Sequence, residues 1–281
     1  MSRVIRVMLI ATWLAACGSA PAPRPATEEA AIQWNQRGQE AYSHGDLPAA
    51  LAAYQEALRL YVSIEHGERI GAELLNIATI QYRLGDRAAA VKILDRILAE
   101  GGVAIPAYYR AEAAYRHARL DFEAGDMAGS GTWMERAQVW CVETNCDAMG
   151  RLTNLKARLA LARDDVSAAE ADARRALEIN RRRGDALEEA NSLRVLADAA
   201  VRRGQHPQAF ALYEQALALD KNAAEPRKIV LDLIGAGRSL AAQGRTAEAA
   251  EYAERARRVA ESVGDEQGLQ EILSLRKSLG R

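Results

Sequence analysis

The sequence lacks most of what would mark a particular chemistry. It has no Gly-x-Ser-x-Gly nucleophile turn, no His-Glu-x-x-His zinc helix and no phosphate-cradling glycine loop with its lysine. Gly129-Ser130-Gly131-Thr132 comes nearest to such a loop but has neither the lysine nor a preceding strand. Histidine is scarce: His44, His66, His117 and His206 are scattered, and none lies near Cys141 or Cys146, which argues against a metal site. There is no excess of one charge, since 37 basic residues face 38 acidic ones. Nothing in that balance suggests bulk nucleic-acid affinity, which needs a concentrated basic surface. Beyond the amino terminus no apolar run is long enough to cross a bilayer. No convincing strand pattern is present, and nothing calls for a cofactor.

What is there is a period. A turn glycine stands at Gly45, Gly85, Gly125, Gly204 and Gly244, with Asp164 in the fourth slot, at spacings of 40, 40, 39, 40 and 40 residues. Five residues after each comes Ala50, Ala90, Ser130, Ala169, Ala209 or Ala249, and seven further Ala57, Ile97, Ala137, Ala176, Ala216 or Ala256. Self-similarity at a fixed period marks a repeat array. Each unit reads as helix, tight turn, helix. The glycine ends the first helix in the left-handed conformation, and Asp46 caps the second. Pro48 and Pro207 occupy first-turn positions where a missing N–H costs little. Small residues at helical spacing let two backbones approach closely, with Tyr54 filling the remaining volume. The spacing predicts helix pairs over 28–44 and 47–65, 68–84 and 87–100, 106–124 and 129–144. The later pairs are 147–163 and 166–183, 186–203 and 206–220, and 225–243 and 246–263. Two glycines at the start of the third pair's second helix are expected to weaken that turn. A last helix over 266–279 carries Leu269, Ile272, Leu273 and Leu275 and is expected to cap the stack.

These residues resemble the tetratricopeptide repeat family. The first repeat carries the likeness in Trp34, Gly38, Gly45-Asp46, Ala50, Tyr54 and Ala57, and the fifth in Ala197, Gly204, Pro207, Ala209, Tyr213 and Ala216. Arg37 and Ala41 stand where the family pattern has leucine and tyrosine, and the period exceeds the family's 34 residues. The resemblance covers about residues 29–263. It implies an all-α, right-handed solenoid of about six helix-turn-helix repeats with a carboxy-terminal capping helix over 28–281.

The amino terminus reads as a leader. Arg3 and Arg6 precede the apolar Val7–Leu14, and Leu14-Ala15-Ala16-Cys17 follows. This resembles the lipobox of bacterial lipoproteins, which implies a signal peptide over 1–16 and a lipidated Cys17. The alternative is an ordinary signal peptide with an incidental cysteine. Pro21, Pro23 and Pro25 suit an extended tether over 17–27. Gly18 after the cysteine implies, by the same analogy, the periplasmic face of a Gram-negative outer membrane. In such an oxidising compartment Cys141 and Cys146 are candidates for a disulfide if the helix ends at Asn145; two buried thiols are the alternative.

In tetratricopeptide arrays the first helices line the concave face. Aligned on the turn, the inward positions include Asn35, Gln39, Tyr42, Tyr82, Tyr115, Arg119, Phe122, Asn154, Arg158, Arg194 and Arg238, with Arg116 beside Arg119. Arginine forks grip carboxylates and tyrosine adds rigid contact area, so this set is a candidate groove for an acidic segment or a free carboxyl terminus of a partner protein. The competing reading pairs these arginines with Asp121, Glu123 and Asp198. Trp133 and Trp140 share a helix face and are expected to pack on the next helix or to form an apolar partner patch. The resulting expectation is a non-enzymatic, membrane-anchored scaffold of envelope assembly. Similar layouts occur in pilus or secretion machinery and in adaptors for cell-wall enzymes. A periplasmic module holding a small anionic or apolar molecule is the alternative, and a hidden active site the third.

Overall fold

The computed structural model describes residues 25–144 and 146–280. The leader, Cys17 and most of the tether lie outside the described residues. Thirteen helices follow one another among them: α1 Ala26–Ser43, α2 Leu47–Ser63, α3 Gly67–Arg83, α4 Arg87–Leu98, α5 Ala107–Ala124, α6 Met127–Thr144, α7 Met149–Ala162, α8 Val166–Arg183, α9 Ala186–Arg202, α10 His206–Asn222, α11 Pro226–Ala242, α12 Thr246–Ser262 and α13 Glu266–Ser278. No strand occurs among the described residues, so the fold is all-α with six pairs and a closing helix. The first helix begins at Ala26, taking two residues from the expected tether.

Local chemistry explains the turns. Gly45 has φ +79° and no side-chain space to defend, which frees the Asp46 N–H to bond the Ala41 carbonyl at 2.9 Å. The Asp46 carboxylate then accepts from the Ala49 N–H at 3.0 Å and opens α2. The same cap recurs at Asp86, Asp165, Asp185 and Asp265. Asp164, in the slot glycine fills elsewhere, takes φ +60°, a conformation aspartate tolerates better than most residues. The glycines of α6 do not break it. Asp126 accepts from the Gly129 N–H at 2.8 Å, and a Cβ at Gly129 would sit 2.4 Å from the Asp126 carboxylate. The helix forms over Met127–Thr144 with that cap in place.

The repeated small residues form the seam. Ala50, Ala90, Ser130, Ala169, Ala209 and Ala249, with Ala57, Ile97, Ala137, Ala176, Ala216 and Ala256, are all at most 1 % exposed. Each first helix packs on its own second helix, and each second helix on the next first helix. First helices also meet one another, as α3 with α5, α5 with α7, α7 with α9, α9 with α11 and α11 with α13. Second helices have no comparable contacts with each other among the described residues, so the first helices crowd the inner face of a curved stack. A continuous apolar core runs from Ala31 to Leu159 and is carried on by smaller clusters to Leu275.

The junction between α6 and α7 carries a staple. Cys141 and Cys146 are joined by a disulfide with their Cα atoms 4.8 Å apart, and the Cys146 N–H donates to the Cys141 carbonyl at 3.0 Å. Arg183 of α8 braces this turn by donating to the Cys146 carbonyl at 3.1 Å and pairing with Asp147 at 2.7 Å. Trp133 and Trp140 are half-buried against the core cluster that includes leucines of α7, and Trp133 also stacks on His117 of α5, ring centroids 4.5 Å apart. Arg136 lies over the rings of both Trp133 and Trp140, at 4.6 and 5.5 Å.

Candidate functional site

Four first helices bound a cavity of about 400 Å³ on the inner face. Helix α5 contributes Tyr115, Arg119 and Glu123; α7 contributes Arg151, Asn154, Leu155 and Arg158. Helix α9 adds Glu188, Asn191, Arg194, Val195 and Asp198, and α11 adds Lys228 and Leu231. A smaller hollow of about 170 Å³ between α3, α4 and α5 adjoins it and shares Tyr115 and Arg119.

Several of these charges are consumed inside the fold. Glu112, buried behind the cavity wall, is held by Arg116 at 2.8 Å and by Arg151 at 2.9 Å. Burial works against its ionisation, but the two guanidinium groups prevail and its pKa falls. Arg116 also donates to the Leu75 carbonyl at 2.9 Å and to the Thr79 hydroxyl at 2.6 Å. Arg194 joins Asp220 and Asp232, two carboxyls without solvent exposure on α10 and α11. Desolvation opposes the Arg194 charge, yet Asp232 and Asp220 raise its pKa on balance. Asn154 donates to the Glu188 carboxylate at 3.0 Å and accepts from Ser192 at 2.8 Å. Asn35 donates to the buried Glu73 at 2.6 Å.

Arg116, Arg194, Asn154 and Asn35 are therefore tied within the fold, in line with the competing reading of internal pairing, while Asn154 and Arg194 also line the cavity. Their first-helix positions face a neighbouring helix as much as the groove, and a buried carboxylate there claims the guanidinium. Arg238 pairs with Glu271 of α13 at 3.2 Å, beyond the cavity. Gln39 and Tyr42 lie on α1, outside the cavity lining, and Tyr42 carries the Arg83 guanidinium 4.9 Å from its ring.

Arg119 and Arg158 behave differently. The Arg119 guanidinium lies 5.0 Å over the Tyr82 ring, its Nε has no hydrogen-bond partner, and the nearest carboxylate oxygen, on Glu123, is 3.7 Å away. That Glu123 is already engaged by Arg87 at 2.7 Å and by the Tyr82 hydroxyl at 3.0 Å. Arg158 sits 4.4 Å over the Phe122 ring and makes no ion pair within 4.0 Å among the described residues. Desolvation lowers its pKa although Tyr115, Glu123 and Asp198 pull it upward. Burial pushes the Tyr115 hydroxyl up to about 12, so it stays a neutral donor. Both arginines are thus positioned by aromatic faces and left without full neutralisation.

Arg151, Glu188, Asn191, Lys228 and Leu231 were not among the sequence candidates. A signal existed: Arg151, Asn154 and Arg158 stand at helical spacing on one stripe, as do Glu188, Asn191, Arg194 and Asp198. Among the described residues no cluster of three metal-ligating side chains occurs.

Comparison with known proteins agrees with this architecture. A model of the tetratricopeptide repeat matches residues 148–222. A Rap protein crystallised with Competence and Sporulation Factor is similar at a TM-score of 0.68 and 12% identity, over 88% of this chain and 80% of its own. Aspartyl phosphate phosphatase F from Bacillus subtilis gives 0.61 and 12% over 89% and 78%. BtubC from P. vanneervenii gives 0.57 and 19% over 86% and 93%. No curated protein matches the sequence. The chain has the tetratricopeptide-repeat fold, an architecture suited to scaffolding between proteins.

Proposed function

We propose that this chain is a non-enzymatic scaffold whose inner groove holds an acidic segment of a partner protein. One observation carries the reading: Arg119 and Arg158 stand in the cavity wall, fixed over Tyr82 and Phe122, with no carboxylate fully engaging either. A guanidinium held in place and partly desolvated binds a carboxylate at a smaller ordering cost than a free one. The solved complex of a Rap protein of similar fold with Competence and Sporulation Factor supports a solenoid of this kind as a holder of partners. We further propose that Cys17 is lipidated and tethers the solenoid at the periplasmic face of an outer membrane, on the strength of the Leu14-Ala15-Ala16-Cys17 leader.

A small anionic ligand is the second reading, favoured by a cavity volume of about 400 Å³, within the ordinary range for such sites. The mainly charged lining speaks against an apolar one.

The test is a capture experiment from host envelope extract with residues 27–281, native and with Arg119→Ala and Arg158→Ala together. A protein retained by the native chain and lost with the double variant, at unchanged melting temperature, supports the scaffold. Equal retention by both refutes the groove. Retention by neither, with a thermal shift on addition of small carboxylates, favours the second reading. The anchor is checked separately by incorporation of labelled palmitate, expected in the full chain and absent from Cys17→Ala.

A further inference from the structure

The groove is not uniformly cationic once its internal ties are set aside. Arg151 belongs to Glu112, Arg194 to Asp220 and Asp232, and Glu123 to Arg87. On the cationic side this leaves Arg119, Arg158 and Lys228, and on the anionic side Asp198 and Glu188, whose carboxylate accepts from Asn154.

Asp198 is a placed group. Its Oδ1 accepts from the Tyr213 hydroxyl, and Tyr213 is buried on α10. Tyr213 in turn is wedged against α11, where a Cβ on Gly235 would lie 2.4 Å from its ring. One oxygen of Asp198 is thus committed, and the residue lines the cavity with the rest of its carboxylate. No cation lies within 4.0 Å of it among the described residues, and nearby Arg202 is paired with Asp164 instead. Crowding by protein raises its pKa, against hydrogen bonding from Tyr213 and the fields of Arg194 and Arg158. A carboxylate fixed in a groove and left without a counter-ion favours a ligand that brings one.

We propose that the segment bound in this groove is of mixed charge, with an acidic group on Arg119 and Arg158 and a basic group, a lysine, arginine or free amino terminus, on Asp198. This rests on the groove being a peptide site and names its specificity. Asp198 is the residue that rejects purely acidic segments, because such a ligand leaves it desolvated and unpaired.

Fluorescein-labelled peptides of one length test this. They carry glutamate alone, lysine alone, or glutamate and lysine two to four residues apart. Binding is read by anisotropy against the native chain, Asp198→Asn and the Arg119→Ala, Arg158→Ala pair. The expected result is that a mixed peptide binds the native chain at least tenfold tighter than the glutamate peptide. Asp198→Asn, which keeps an acceptor for Tyr213, should reduce that preference to below about twofold at an unchanged melting temperature. Equal affinity for mixed and glutamate peptides, or a preference that survives in Asp198→Asn, overturns the inference. Should the arginine pair still abolish binding in that case, the acidic-segment reading stands alone. If no peptide binds the native chain, both fall.

Discussion

Glu73 gives the sharpest stability test. It lies on α3 with 1 % of its surface exposed, its Oε1 accepting from Asn35 and its Oε2 without a partner. Burial raises its pKa from 4.5 to about 7, against the hydrogen bond from Asn35 and the field of Arg69. A carboxyl raised on folding binds its proton more tightly in the native state than in the unfolded chain. Stability is then greatest below about pH 4.5, falls as pH rises toward about 7, and is flat beyond. The rise from 4.5 to about 7 corresponds to about 3 kcal/mol between those limits. Glu73→Gln keeps an acceptor for Asn35 and removes the charge. The variant should match the native protein near pH 4.5 and exceed its stability by about 3 kcal/mol at pH 8. Urea denaturation at constant ionic strength across that range measures it. Asp232, also raised by burial, titrates in both proteins and cancels in the difference. A difference that does not change with pH, or a variant less stable at pH 8, would refute the reasoning.

Other perturbations follow from single contacts. Arg194→Met strips the counter-charge from Asp220 and Asp232 and should cost about 3–5 kcal/mol at pH 8, less at pH 5, below the raised pKa of about 7 at which Asp232 takes up its proton; denaturation at the two values checks it. Replacing Cys141 and Cys146 together with serine opens a short loop and should cost about 2 kcal/mol, read as a fall in melting temperature that reductant reproduces in the native chain. Gly67→Ala would place a Cβ 2.0 Å from the Ala104 carbonyl oxygen, a backbone atom that cannot swing aside, for a loss of about 1–3 kcal/mol by denaturant titration.

The helices were legible because their signals are local. A left-handed glycine, an aspartate cap and small residues at helical spacing act within a turn or two, and they recur in register down the chain. At Gly129 the Asp126 cap forms as it does at Ala49, Ala89 and Ala168 of other repeats. Spacing places Trp133 and Trp140 on one face, where the Arg136 guanidinium lies over both rings, but the stack of Trp133 on His117 joins two helices and was not legible in it.

The site was half legible. Tyr115, Arg119 and Arg158 were identified from turn-aligned positions and line the cavity. The period could not distinguish Arg158, left over Phe122, from Arg194, sunk between two carboxyls, since both occupy inward positions of a first helix. Their partners stand far along the chain: Asp220 and Asp232 lie 26 and 38 residues from Arg194.

By itself, then, the sequence determined the all-α repeat, its six pairs and its cap, because backbone propensity and helical spacing are short-range. Only the tertiary structure decided which charges are spent within the fold and which are left to a ligand. That outcome depends on distances between side chains on different repeats, where the low dielectric of the interior makes one buried carboxylate enough to claim a guanidinium.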